Sequence, residues 1–164
     1  MKLVSSVIGS MIEYFEGDAN RIGHALKVYG FAKSIGELEA LTDEKMTVLE
    51  IAAILHDIGI RESERKYSSA AARYQEQEGP PAARGILKEY GLSEEQLERV
   101  CYIIGNHHTY GKIDEVDFQI LVEADFLVNI HEGNMDKQQI ESIRKNYFKT
   151  GTGLRYLDSM FLMC

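Results

Sequence analysis

One apolar segment ends in chemistry. Met46, Val48, Leu49, Ile51, Ala52, Ala53, Ile54 and Leu55 leave almost no polar side, yet they run directly into His56 and Asp57. A carboxylate at the C-terminal end of a helix faces the negative end of the macrodipole, which opposes it by about 0.3–1 kcal/mol. A divalent cation held by both side chains would compensate. Asp125 raises the same question, because it is surrounded by Ile120, Leu121, Val122, Ala124, Phe126, Leu127 and Val128. Charged groups in such helices are rare unless they are paired or bound to metal. His24 shares a helical segment with Ile22 and Leu26, and His107-His108 closes the run Val100, Cys101, Ile103, Ile104. Taken singly, a helical His is commonly a satisfied core or surface residue, and a lone Asp commonly partners an Arg. Together, His, His-Asp and Asp stand in order on three helical segments. His131 reads as a surface or helix-end residue.

The elements that must position these groups are helical. Val4, Val7, Ile8, Met11, Ile12 and Phe15 recur at helical spacing over residues 3–15. A second helix runs through residues 21–41, with Ile22, Leu26, Tyr29 and Ala32 on one face. Thr42 and Asp43 offer caps for the third, whose all-round apolar character marks the buried centre of a domain. Residues 61–79 are polar and weakly periodic and read as the longest loop, a candidate substrate gate beside the His56-Asp57 helix. Pro80 and Pro81 suit the first turn of a helix reaching Tyr90, with Gly91 as its stop. Ser93 and Gln96 form a capping box for the helix ending at His107-His108. Further helices are expected over about 117–131 and 136–148, and the apolar C-terminal tail is expected to pack back on the body. With two prolines and no tryptophan in 164 residues, the fold class is all-α, a single domain.

Composition narrows the partners. The net charge of −8 gives no long-range attraction to a nucleic-acid duplex or an anionic membrane. A small phosphorylated substrate is still compatible if a bound cation overrides the acidic field locally. No run reaches the roughly 18 apolar residues that span a bilayer. The start is broken by Ser5, Ser6, Gly9 and Ser10, and it reads as an amphipathic helix rather than a signal peptide. Cys101 and Cys164 make no disulfide framework, so the cytoplasm is expected.

The order His24, then LHDIG with His56-Asp57, then Asp125 resembles the H…HD…D signature of the HD superfamily. These are helical metal-dependent proteins, chiefly phosphohydrolases acting on nucleotides and other phosphate esters. The resemblance implies an HD-type helical bundle with the metal site between central helices. Its metal-site core covers about 18–131, with the 132–164 helix and tail packing on it, all within one domain over 1–164. It also implies that His24, His56, Asp57 and Asp125 bind the metal. The pair His107-His108 in IIGNHHTYG is similar to the paired histidines of two-metal HD-GYP phosphodiesterases. Two departures stand out. The segment after HD is RESERK, without the usual Lys, and QEQEGPP stands where such members place another His. Glu78, or else Glu76, would then replace that His as an oxygen ligand; alternatively the second site is lost.

On this resemblance the catalytic residues are Asp57, His107 and His108. The mixed nitrogen and oxygen donors suit one or two ions of Mn, Fe, Co, Ni or Zn. Glu62 or Glu64 is the candidate general base, and Arg61, Arg65, Lys66, Arg73 and Lys112 are candidate phosphate-holding cations. The function implied is metal-dependent hydrolysis of a small phosphate ester, a nucleotide among the options, through a metal-activated water. Two alternatives stay open: a di-iron oxygenase of the HD fold, similar to myo-inositol oxygenase, and a non-catalytic metal-binding regulatory module. A homodimer is a further open partner.

Overall fold

A computed structural model describes residues 2–163; Met1 and Cys164 lie outside the described residues. The described residues form helices α1 (Lys2–Tyr14), α2 (Ala19–Leu38), α3 (Asp43–Leu55), α4 (Ile60–Tyr67), α5 (Ala72–Leu87) and α6 (Glu94–Ile104). A 3₁₀ turn at Tyr110–Lys112 precedes α7 (Val116–Glu132), α8 (Lys137–Tyr147) and α9 (Gly151–Leu157), and Asp158–Leu162 form a π-helical turn. There is no strand among the described residues.

Local chemistry sets most of the boundaries. The side chains of Asp18, Thr42, Ser93 and Asp136 cap α2, α3, α6 and α8 by accepting backbone N–H groups, and Ser93–Gln96 and Asp136–Gln139 are full capping boxes. Every residue of α3 from Val48 to Leu55 is buried, and α7 buries Phe118, Ile120, Leu121, Val122, Ala124, Leu127, Val128 and Ile130. These two helices are the centre of the bundle. α2 packs on both, α6 packs on α3, α5 packs on α6, and α1 crosses α3 and α5. Leu157 of α9 is fully buried, while Met160 and Met163 beyond it are exposed, so the tail returns to the body only in part.

The expected loop over 61–79 is instead two helices joined by the short link 68–71. Only Ile60 and Ser63 of α4 are buried, so its sequence carries almost no apolar period to read. Good helix formers sustain it, with Arg65 pairing with Glu62 one turn away and Arg21 of α2 pairing with Glu64. Ser68 then adopts a left-handed conformation, φ 51°, and stops it.

Pro80 and Pro81 lie inside α5 rather than in its first turn. They leave the carbonyls of Glu76 and Gln77 without their helical donors, a loss that packing against neighbouring helices has to offset. That packing is close. A Cβ at Gly59 would strike the carbonyl oxygen of Gln75 and come within 2.6 Å of the Gly79 nitrogen, and one at Gly79 would come within 2.6 Å of Ile104. The glycine after His56-Asp57-Ile58 therefore lets α5 lie directly on the turn that carries the histidine and the aspartate.

Candidate metal centre

Four elements deliver the predicted donors to one place. His24 comes from the first half of α2, His56 and Asp57 from the C-terminal end of α3, Asp125 from the middle of α7, and His107-His108 from the turn after α6. His24 Nε2 lies 3.2 Å from His56 Nε2, 3.2 Å from Asp125 Oδ1 and 3.5 Å from Asp57 Oδ2. His56 Nε2 lies 3.3 Å from Asp57 Oδ2 and 3.6 Å from Asp125 Oδ1. On the other side of the same carboxylate, Asp57 Oδ1 is 3.4 Å from His107 Nε2. Two groups thus have donor atoms within 4.8 Å of one another: His24, His56 and Asp57, and Asp57, His107 and His108.

The imidazoles are aimed by bonds on their far side. His56 Nδ1 donates to the Ala53 carbonyl at 2.8 Å, His107 Nδ1 to the Ile104 carbonyl at 2.8 Å, and His24 Nδ1 to Glu132 Oε2 at 2.9 Å. A neutral imidazole that donates from Nδ1 keeps its lone pair on Nε2. With the rings neutral, three lone pairs and two carboxylates converge, a set that can accept and cannot donate. His107 Nε2 is buried with no hydrogen-bond partner, and His56 and His107 are 1% and 2% exposed. Such a cluster needs positive charge, from protons or from a cation. Imidazole nitrogen mixed with carboxylate oxygen is a donor set for a divalent transition metal.

In the protein without metal the compensation shows as displaced acidities. Burial opposes charge on His24 and His56, but Asp125 and Asp57 outweigh it and hold both above the ordinary 6.5, His56 well above. Burial likewise opposes ionisation of Asp57 and Asp125, but His56 and His107 beside Asp57, and His24 and His56 beside Asp125, hold both carboxyls below the usual 3.8. His108 goes the other way. Burial, then the neighbouring His107, lowers it to about 4.

The signs predict the pH profile of the metal-free protein. Stabilisation from His24 and His56 is complete below 6.5 and is lost as pH rises through their raised values. The uncharged His108 stabilises above 6.5 and loses its contribution as pH falls toward 4, after which the two aspartates lose theirs below 3.8. Melting temperatures of chelator-treated protein should therefore peak near pH 6.5. A bound cation replaces the two imidazole protons, so adding metal should remove the decline on the alkaline side.

Several expected residues stand elsewhere. Glu78 is buried but turns to Lys66 Nζ at 2.5 Å and Tyr67 OH at 3.0 Å, away from the histidines. Its alternative Glu76 is the acid at the site, accepting from the His108 backbone N–H at 3.0 Å and from the Thr109 hydroxyl at 2.9 Å. Neither candidate general base is free, because Glu62 pairs with Arg65 and Glu64 holds Arg21 through two hydrogen bonds of 3.0 and 2.6 Å. Of the candidate cations, Arg61 donates to the Tyr14 carbonyl and lies over its ring, Arg65 and Lys66 pair with Glu62 and Glu78, and Arg73 lies over Tyr74. Lys112 is exposed, as is His131 at the end of α7. Sequence reasoning missed Asn129, which donates to Asp125 Oδ1 at 2.9 Å, and Glu132, which holds His24. Both share the face of α7 that carries Asp125, four and seven residues on, so helical spacing could have found them. It also missed Gln75, whose segment had no readable period.

The sequence model of the HD domain family matches residues 21–143, and the chain belongs to that family. The fold is similar to the crystal structure of a predicted HD superfamily hydrolase from an uncultured Thermotogales bacterium. The TM-score is 0.70 at 22% identity, over 94% of this chain and 83% of that one. No curated protein matches the chain. Among the described residues no helix is long and apolar enough to cross a membrane.

Proposed function

We propose that this protein is a metal-dependent hydrolase of small phosphate esters, nucleotides included. The carrying observation is the convergence of the His24, His56 and His107 Nε2 atoms with Asp57 and Asp125 into a largely buried set that, with its imidazoles neutral, only accepts. Membership of the HD domain family supports the reading. His24, His56, Asp57 and Asp125 would hold one divalent ion, and Asp57, His107 and His108 a second. Such an ion, when bound, lowers the pKa of a coordinated water and polarises a phosphoryl oxygen.

The chain's own residues prepare that chemistry. Asp57 presents one oxygen to each group, so it is placed to be shared. Asn129 leaves one Asp125 oxygen oriented toward His24 and His56 by occupying the same atom from outside. Arg21, one turn before His24, is held by Glu64 and Asp18 and feels the charge of Asp57, which places it near the donors as a fixed cation. A buried free thiol at Cys101 fits a reducing compartment such as the cytoplasm.

The test is phosphate release from a panel of monoesters, diesters and nucleotides by protein loaded in turn with Mn(II), Co(II), Ni(II), Fe(II) and Zn(II). Release is expected from at least one class, lost with a chelator and restored by adding the ion back. A protein that binds these ions and releases phosphate from no class contradicts the proposal, and oxygen consumption by the iron-loaded form would then favour an oxygenase.

A further inference from the structure

We infer that Gln75 is a positioning residue that fixes the tautomer of His108, so that His108 offers Nδ1, not Nε2, to a cation shared with Asp57 and His107. The inference rests on the proposed metal centre and extends it to a residue outside the H…HD…D pattern.

His24, His56 and His107 all place Nδ1 against an oxygen acceptor and aim Nε2 inward. His108 is reversed, with Nε2 lying 3.1 Å from Gln75 Oε1. The direction of that bond follows from the other end of the glutamine. Gln75 Nε2 lies 2.6 Å from the Ala70 carbonyl oxygen, which can only accept. Turning the amide over would set two oxygens against each other there. The amide oxygen therefore faces His108, and since it cannot donate, the hydrogen belongs to His108 Nε2. In the neutral ring the lone pair is then on Nδ1.

The backbone keeps Gln75 in reach. Its carbonyl oxygen lies too close to Gly59 for a Cβ there, so α5 is seated on the turn that carries Asp57. Glu76, the next residue, accepts from the His108 backbone N–H and the Thr109 hydroxyl. One turn of α5 thus grips the His107-His108 turn with two side chains, and the Ala70 carbonyl in the 68–71 link orients the first of them. Asp57, His107 and His108 have donor atoms within 4.8 Å of one another, and the partnerless Nε2 of His107 belongs to this group.

Long-range proton–nitrogen NMR on metal-free, nitrogen-15-labelled protein reads the tautomer directly. His108 should carry its hydrogen on Nε2 in the wild type and in Gln75→Glu, which keeps an acceptor for His108 while giving up the bond to the Ala70 carbonyl, and should lose that preference in Gln75→Leu. Calorimetric titration with Mn(II) is the second readout. The wild type and Gln75→Glu should bind two ions, whereas Gln75→Leu should keep the first and bind the second about 10–100-fold more weakly. An Nδ1–H tautomer in the wild type, or unchanged binding of the second ion by Gln75→Leu, overturns the inference. A wild type that binds one ion overturns it alone; a wild type that binds none overturns the hydrolase reading as well. If Gln75→Leu fails to fold, the wild-type tautomer and the Gln75→Glu titration still decide.

Discussion

Asp57→Ala should abolish metal-dependent phosphate release, a fall of about 10³-fold or more, and should remove any rise in melting temperature on adding metal. Asp57 is the one carboxylate common to both donor groups, with Oδ2 toward His24 and His56 and Oδ1 toward His107. Removing it strips a ligand from each. A metal ion supplies several kcal/mol of charge stabilisation in the transition state, and each ~1.4 kcal/mol is a factor of ten in rate. The same change leaves three inward-facing imidazoles with Asp125 as their remaining carboxylate, so the alkaline decline in stability of the metal-free variant should be shallower, the part that Asp125 sustains on His24 remaining. Steady-state phosphate release and melting curves with and without Mn(II) are the measurements. A variant that keeps a tenth of wild-type turnover would show that Asp57 is not a ligand.

The second large effect lies away from the metal. Glu123→Ala should lower stability by about 2–4 kcal/mol in urea unfolding. The Glu123 carboxylate is fully buried on α7, and the donors it meets are neutral. Its Oε1 accepts from Gln119 Nε2 and from the backbone N–H groups of Lys149 and Thr150, at 2.8, 2.6 and 2.9 Å, and its Oε2 accepts from the Thr150 hydroxyl at 2.5 Å. Through these bonds the link between α8 and α9 is tied to the central helix. Alanine would take the acceptor from four donors, of which the Thr150 N–H and hydroxyl are buried. Glu123→Gln keeps an acceptor for the backbone groups, and the Thr150 hydroxyl can turn to accept from its amide, so its loss should be clearly smaller. An alanine variant that loses less than about 1 kcal/mol would show that water or a local shift replaces the carboxylate.

How much was legible in the sequence varied with the physics of each element. α3 announced itself because burial on all sides leaves only apolar residues, and His56-Asp57 at its end broke that pattern. Asp125 stood out in α7 for the same reason. Ser93–Gln96 is local chemistry, and the structure repeats it. α4 was not legible, because a helix that buries only Ile60 and Ser63 has no stripe to reveal it. The first two turns of α5 were hidden within the same expected loop, and that omission carried over to the site. Glu76 and Glu78 are two residues apart, which on a helix turns them about 200° from each other. Glu76 faces His108 while Glu78 faces Lys66 and Tyr67. Within a supposed loop there is no helical phase, so nothing in the sequence could choose between them. The pairing of Glu62, Glu64, Arg65 and Lys66 with local or distant partners was equally hidden, since it depends on where α2 and α5 pass.

The sharpest test of the metal centre is elemental analysis of wild-type protein after incubation with Mn(II), Fe(II), Co(II), Ni(II) and Zn(II) and removal of excess ion. At least one tightly held divalent ion per chain is expected, with protons released on binding as His24 and His56 give up theirs. Protein that emerges free of metal from every incubation would contradict the proposed centre, and the converging histidines and aspartates would then be a proton-sharing cluster that serves packing alone.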